Sequence, residues 1–161
     1  MKEHKGMRPQ DIVILLKIVS LGQKRWFLKD LSKQLHISNS EVSESLNRSV
    51  IGGLIENDKK TIRIKRLLDF LVYGLKHVFP VINGSLVRGL PTAYSAPVLE
   101  NKFVIDDPYV WSTKGYRTKG IAVEPLYHTV PESCENDEKL YDLLALTDAL
   151  RTGTGEKEVV D

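Results

Sequence analysis

The chain of 161 residues has a single cysteine, Cys134, and no long apolar run. One thiol excludes an internal disulfide framework and any CxxC zinc or redox motif. The longest apolar stretches, at 12–16 and 67–74, fall far short of the about 20 residues that a transmembrane helix needs. Because the first eight residues are charged and no cleavage site follows, we expect a cytoplasmic protein with no membrane association.

Sequence motifs typical of enzymes are missing as well. The chain contains neither GxGxxG nor a Walker loop, and Ser95 lacks the flanking glycines of a GxSxG nucleophile. The four histidines are scattered, and none has a second ligand at i, i+4. The acidic neighbours of Cys134 are expected to raise the pKa of its thiol, which argues against a nucleophile. We therefore predict no enzymatic activity, no metal and no cofactor.

Charge is distributed unevenly along the chain. Residues 1–66 hold 14 Lys and Arg against 7 Asp and Glu, a balance of +7. Residues 67–161 hold 9 against 14, a balance of −5, and the two add up to the net charge of +2. This asymmetry indicates a nucleic-acid partner for the first part and another purpose for the second. Ordinary solvated surface charge would give the same balance.

Apolar residues at helical spacing predict three helices in the basic part, over about 9–22, 27–35 and 38–51. The third helix begins at a capping box, in which the side chains of Ser38 and Glu41 satisfy each other's backbone N–H groups. Each of the three carries its apolar residues on one stripe. We therefore expect the three to pack around a common core.

The residues that follow predict a hairpin and a fourth helix. Residues 61–65 alternate between apolar and basic, and 57–60 supply a turn, so a small hairpin is expected. The fourth helix, over about 66–78, is apolar around much of its circumference. A helix of that kind is buried on more than one side, in the core or in a dimer.

The segment 79–131 has a different composition, with six prolines, four glycines and seven aromatic residues. Low-complexity linkers are not so rich in aromatic residues, so we predict an ordered, irregular segment with short strands. Strands at 109–112 and 120–123 are expected to pair across a turn at 114–115. A final helix is predicted from a cap at Asn136 or Asp137 to about Arg151.

The stretch Leu28–Asn47 has the spacing of a helix-turn-helix. Ser32 is small enough for two short helices to meet, Ile37 follows the turn as an apolar plug, and Val42 and Leu46 complete the core. In such a motif the second helix can lie in the DNA major groove. Helix-turn-helix folds also serve in roles without DNA.

Residues 11–65 resemble the winged helix-turn-helix transcriptional regulators, most closely the MarR-type group. The resemblance is carried by LSKQLHIS, SEVSESLNR and GLIEND with the basic strand TIRIKR. His36 stands where the family has a turn glycine, and histidine tolerates a left-handed backbone better than most residues. In the second half, RGLPTAYSAPVL (88–99) and VEPLYHTVP (123–131) are similar to the downstream part of an uncharacterised group of bacterial winged-helix proteins.

This resemblance implies an α+β fold, mainly α, with a winged helix-turn-helix DNA-binding domain at 1–66. Apart from the resemblance, the apolar fourth helix indicates that 67–151 form a module for dimerisation or for a partner or ligand, and the polar composition of 152–161 indicates a flexible tail. The expected function is sequence-specific binding of double-stranded DNA by a homodimer, which represses transcription by occupying its operator. The alternative is an antitoxin-like or adaptor protein whose acidic second half binds a basic partner protein.

The resemblance also assigns two sets of DNA contacts. Residues expected to meet base edges are Ser38, Asn39, Ser40, Ser43, Asn47 and Arg48. Residues expected to contact phosphates are Lys29, Lys33, Lys59, Lys60, Arg63 and Lys65. Each lysine could equally be a solvated surface charge.

A second candidate site lies in the proline-rich segment. A buried Arg88 surrounded by the hydroxyl groups of Thr92, Tyr94 and Ser95 could hold an anionic ligand or partner, or the carboxylate of Glu124. Alternatively, Arg88 only fixes the irregular segment to the helices.

Overall fold

The structure, a computed structural model, describes residues 6–152. With about 51% helix and 15% strand, the fold is of the mixed α+β class that the sequence predicts. The helices and strands follow in the order α1 (Pro9–Leu21), α2 (Leu28–Leu35), α3 (Asn39–Ile51), α4 (Ile64–Asp69), α5 (Leu75–Val78), β1 (Asn83–Pro91), β2 (Tyr109–Ser112), β3 (Thr118–Val123), α6 (Val130–Cys134) and α7 (Glu138–Thr152).

The first three helices have the bounds that the apolar spacing predicts. α1 ends at Gly22, which has a positive φ of 60°, and α2 ends at His36 in the left-handed conformation (φ 55°, ψ 41°). The Ser38 hydroxyl accepts a hydrogen bond from the Glu41 backbone N–H and so begins α3. The second half of the predicted capping box is wrong, because the Glu41 carboxylate instead accepts from the hydroxyl of Tyr127.

A short hairpin follows α3 and is smaller than predicted. Ile55 and Ile62 form an antiparallel bridge, and the Asp58 carboxylate closes the turn by accepting from three donors of residues 60 and 61. The predicted strand through residue 65 is wrong, because α4 already begins at Ile64. Leu67, Leu71 and Leu75 are buried at helical spacing. This helical pattern overrides the alternation of residues 61–65 from Ile64 onward.

The predicted fourth helix spans α4, a π-helical turn (Phe70–Gly74) and α5. One of its faces is buried through Leu67, Leu71 and Leu75. The exposed large apolar side chains on this helix are Ile64, Leu68, Tyr73 and Val78. We refer to these four residues as the apolar face.

The three strands form a small closed sheet. β1 pairs antiparallel with both β2 and β3, and β2 pairs parallel with β3 at Tyr109 and Ile121. The predicted strands therefore exist, but their predicted pairing as a hairpin is wrong. Only residues 113–117 connect β2 to β3, and both strands pair with β1, which lies antiparallel to each of them. β1 lies in the segment 79–131, which the sequence predicts to be irregular with short strands.

Two glycines allow the strands of this sheet to approach closely. A Cβ atom on Gly89 would lie 1.8 Å from the backbone oxygen of Trp111, and one on Gly120 would lie 2.4 Å from that of Pro108. Both contacts are with backbone atoms that cannot move aside cheaply. Larger residues at these two positions would therefore disrupt the sheet.

The main hydrophobic core takes residues from both halves of the chain. It joins α1, α2 and α3 to Trp111 of β2 and to Leu140 and Leu144 of α7. α7 begins as predicted, since the Asp137 carboxylate accepts from the Leu140 N–H. The proposed division at residue 66 thus falls inside α4, and most of the predicted tail lies outside the described residues.

Candidate nucleic-acid interface

The turn between α2 and α3 fixes how α3 is presented. The Ser32 hydroxyl donates to the backbone oxygen of Ile37 across the left-handed residue His36. Val42 and Leu46 of α3 are buried on the side of the helix that packs against the core. The opposite side of α3 therefore faces solvent.

Most of the predicted base contacts lie on this outer side. Ser38, Asn39, Ser40 and Asn47 are exposed, and Ser43 is half-buried. Ser38 caps the helix, and its hydroxyl oxygen lies 3.3 Å from that of Ser40. Asn39, the first residue of α3, and Asn47, two turns later, carry the amide groups that can form paired hydrogen bonds with adenine.

Arg48, a predicted base contact, is paired with a carboxylate of α1 in the structure. Its Nε donates to Asp11 Oδ2 at 2.9 Å, and its Nη2 donates to Asp11 Oδ1 at 2.7 Å. The Arg48 side chain is 13% exposed and that of Asp11 is fully buried. These hydrogen bonds raise the pKa of Arg48 above its usual value. The guanidinium therefore joins α3 to α1, and two of its donors are engaged there.

The predicted phosphate contacts differ in how accessible their charges are. Lys29, Lys33, Lys59 and Lys65 are exposed, whereas Arg63 is half-buried. Lys60 is exposed but tethered, because its Nζ donates to the Trp26 backbone oxygen at 2.9 Å and lies 3.7 Å from the centre of the Trp26 ring. Lys60 thus binds the hairpin to the segment before α2, which leaves Lys59 as the more accessible charge at the tip.

The second half of the chain reaches the helix-turn-helix, which the sequence did not predict. The Tyr127 hydroxyl donates to Glu41 Oε2 at 3.3 Å, and His36 Nε2 lies 3.6 Å from Glu132 Oε1. Burial, followed by the charge of Glu41, raises the pKa of Tyr127. A duplex lying along the first turn of α3 would therefore come close to Tyr127.

The second predicted site is not assembled. Arg88 is exposed, and its Nη1 donates to the backbone oxygen of Arg117 at 3.1 Å. Thr92 and Tyr94 are buried and donate to Asp148 and to the Ala149 backbone, respectively. Ser95 accepts from the backbone N–H of Tyr109. The expectation of a buried Arg88 beside these hydroxyl groups is wrong, because Arg88 is exposed while Thr92 and Tyr94 bind α7 and Ser95 binds β2.

A buried carboxylate, Asp148, organises that contact. Its Oδ2 accepts from Thr92 Oγ1 at 2.8 Å and from Trp111 Nε1 at 2.7 Å, while its Oδ1 accepts from Arg151 at 2.8 Å. Burial raises the pKa of Asp148, and the charge of Arg151 opposes that effect. Because every one of these donors belongs to the fold, the cluster acts as a structural connection.

The thiol of Cys134 is buried. Burial raises the pKa of the Cys134 thiol, with Asp137 as a further cause. Between residues 6 and 152, no three His, Cys, Asp or Glu side chains are grouped to hold a metal ion. The same residues include no helix both long and apolar enough to cross a membrane.

One basic and aromatic surface was missed at the sequence level. Lys24, Arg25 and Phe27 are exposed in the segment between α1 and α2, next to Lys60. The signal in the sequence was KRWF, a run of charge and aromatic residues.

Comparison of the chain with protein-family models, curated proteins and solved structures gave no match.

Proposed function

We propose that this chain is a sequence-specific DNA-binding regulator of transcription, with α3 as the recognition helix of a winged helix-turn-helix. The observation that carries the proposal is the exposed polar side of α3, presented by a short helix and a left-handed turn at His36. A recognition helix presents side chains of this kind to base edges. The hairpin centred on the Ile55–Ile62 bridge would act as the wing.

The dimensions and the side chains of α3 suit a major groove. Thirteen residues give a helix about 20 Å long, and the groove of B-DNA is about 12 Å wide. With Arg48 bound to Asp11, base recognition falls to Asn39, Asn47 and the serines near them. Asparagine pairs best with adenine, so we expect the preferred site to include A·T pairs at the positions facing these residues.

Cations on either side of α3 would hold the phosphate backbone. Lys29 and Lys33 lie on α2, and Lys59 lies at the hairpin tip. Contacts of this kind set affinity and register without reading the sequence. They also make binding strongly dependent on salt.

The apolar face supports binding as a homodimer. A dimer places two recognition helices on a palindromic site about one helical turn of DNA apart, which increases affinity and specificity. The simplest mode of regulation is repression through occupation of the operator. The sign of regulation follows from where that site lies relative to the promoter.

A protein partner is the alternative, and the acidic second half favours it. Glu132, Glu135 and Glu138 are exposed around α6 and the start of α7. A basic partner could bind these carboxylates. In that case the chain would be antitoxin-like or an adaptor, and α3 would not recognise a particular DNA sequence.

Binding to DNA from its own upstream region tests the proposal. Fluorescence anisotropy at several salt concentrations, with an unrelated duplex for comparison, separates specific binding from charge attraction. We expect preference for the upstream DNA, and Asn47→Ala should weaken that complex about 5- to 150-fold. The matched control is Asn136→Ala, an exposed asparagine outside α3. Equal, weak binding of both duplexes would contradict the proposal and favour the protein partner.

A further inference from the structure

The segment between α1 and α2, residues 22–29, combines cations with aromatic rings. Lys24, Arg25 and Lys29 are exposed, and the segment contains no acidic residue. Trp26 and Phe27 lie between these cations.

The two aromatic side chains point in opposite directions. Phe27 has an extended backbone (φ −118°, ψ 161°), and neighbouring side chains of extended backbone alternate between two sides. Trp26 is buried at 8% exposure, whereas Phe27 is 52% exposed. The Phe27 N–H donates to Asp30 Oδ2 at 2.7 Å, which fixes this arrangement at the start of α2.

Cations surround the exposed ring. Arg25 Cζ lies 5.5 Å from the centre of the Phe27 ring, and Lys29 Nζ lies 5.9 Å from it. Each is within cation–π distance. Because both cations lie over the ring, a planar group that stacks on Phe27 has to displace a flexible side chain from that face, and the displaced cation stays next to it.

A groove runs between this segment and the hairpin. Residues 22–27 and Lys60 line it, and its volume is about 440 Å³. The nearby carboxylate of Asp58 is occupied by backbone N–H groups of the hairpin turn and by Thr61. The groove therefore presents cations and an aromatic ring to an incoming ligand.

We propose that this groove binds a short single-stranded stretch of nucleic acid, with one base stacked on Phe27. The phosphates on either side would contact Lys24 and Arg25, while Lys60 stays bound to Trp26 and forms the wall of the groove. Aromatic platforms flanked by cations are the usual means of binding single strands, because every base has a face that stacks. In an intact duplex the base faces are covered by their neighbours, so a duplex cannot use the Phe27 ring in this way.

This inference does not rest on the proposed function, because it concerns a surface separate from the outer side of α3. A fluorescent oligonucleotide of about 12 thymidines is the probe, with binding followed by anisotropy. Phe27→Ala should weaken binding about 5- to 150-fold, and Phe27→Trp should retain it. Val104→Ala, at an apolar side chain that is 52% exposed outside both the groove and the apolar face, is the control and should bind like the parent protein.

Three outcomes would overturn the inference. Phe27→Ala could bind the oligonucleotide as tightly as the parent protein, with the fold of the variant verified by thermal unfolding. A duplex of equal length could displace the probe as well as the unlabelled single strand does. A poly-glutamate peptide could do the same, which would reduce the groove to a general site for acidic chains. Asn47→Ala should affect only duplex binding, so failure of one proposal is distinguishable from failure of the other.

Discussion

The pair formed by Arg48 and Asp11 decides how α3 is held against α1. Two hydrogen bonds of 2.7 and 2.9 Å join the guanidinium to a fully buried carboxylate. Asp11 also accepts from the backbone N–H of Arg8 at 2.8 Å and so begins α1. A single carboxylate thus stabilises a helix end and a contact between two helices.

Removing the guanidinium should destabilise the fold. Arg48→Ala is expected to lower the free energy of unfolding by about 3–5 kcal/mol, because it leaves the buried charge of Asp11 without its partner. Urea unfolding measures this loss. Arg66→Ala is the matched control at an exposed arginine and should change the free energy by about 0.5 kcal/mol or less. A normal stability of Arg48→Ala with altered base preference would restore Arg48 as a DNA contact.

We expect the protein to lose stability at high pH because of the buried phenol of Tyr141. Its hydroxyl donates to the Pro91 backbone oxygen at 2.6 Å, and burial raises its pKa to about 12. Because the folded state favours the neutral phenol, the stabilisation is complete below the unfolded pKa of about 10 and is lost as the pH rises toward the folded value.

Comparison with Tyr141→Phe isolates this effect. At about pH 8 the variant should be less stable by about 1 kcal/mol, because it lacks the hydrogen bond. At about pH 11 the difference should shrink, since the ionising phenol then destabilises only the parent protein. Urea unfolding at the two pH values measures the difference. A constant gap would show that Tyr141 does not titrate in this range, and Tyr73→Phe, at an exposed ring, provides the control.

At the level of single residues, the backbone was easier to predict than the side-chain partners. The left-handed conformation of His36 follows from its place in a tight turn, and the structure confirms it. The partner of Arg48 lies 37 residues away on another helix, so no local pattern identifies it. Arg88 was expected to be buried, but the pairing of β1 that exposes it was not visible in the sequence.

Among the elements, the hairpin separates two kinds of lysine. The Lys60 ammonium contacts both the ring and the backbone oxygen of Trp26. Lys59, in contrast, lies at the tip of the hairpin with a positive φ of 58°. The two neighbours therefore have different tasks. Lys60 fixes the hairpin, and Lys59 is free to meet a phosphate.

Single substitutions should separate these tasks. Lys60→Ala is expected to lower the free energy of unfolding by about 1–2 kcal/mol, because a cation–π contact and a hydrogen bond are lost. Lys59→Ala should have little effect on stability but should reduce the salt dependence of duplex binding by about one unit of slope. Thermal unfolding and anisotropy at several salt concentrations measure the two effects. Unchanged stability of Lys60→Ala would mean that Trp26 does not hold the hairpin.

Helices were predictable from the sequence because their apolar spacing and capping residues are local. The strands were harder. β1 is exposed along most of its length and has no alternating pattern, so nothing marked it as a strand. The parallel pairing of β2 with β3 depends on β1 lying antiparallel to both, which is a property of the whole sheet.

At the scale of the whole molecule, the two halves are packed as one unit. α1 contacts α7 through the shared core, and the Lys17 ammonium pairs with the Asp137 carboxylate at the start of α7. Tyr127 and Glu132 reach the helix-turn-helix itself. The charge asymmetry along the chain therefore does not correspond to two independent cores.

The apolar face is the feature of the whole molecule that the core does not explain. Its four side chains follow one another at intervals of four or five residues, and the π-helical turn lies in the step from Leu68 to Tyr73. Leu67, Leu71 and Leu75 already bury the other side of the same helix. A second copy of the chain would remove the exposed apolar surface from water by pairing the two helices across a two-fold axis.

Leu68 lies in the middle of the apolar face at 55% exposure and is the best position to test the dimer. Leu68→Glu should shift the protein toward the monomer, because dimerisation would then bury two unpaired carboxylates. Sedimentation equilibrium at several concentrations measures this shift, and Val104→Glu, at an exposed apolar residue of another segment, is the control. If a palindromic operator needs both recognition helices, the same variant should also lose affinity for duplex DNA. A monomeric parent protein, or a Leu68→Glu variant that stays dimeric, would mean that the apolar face serves another contact.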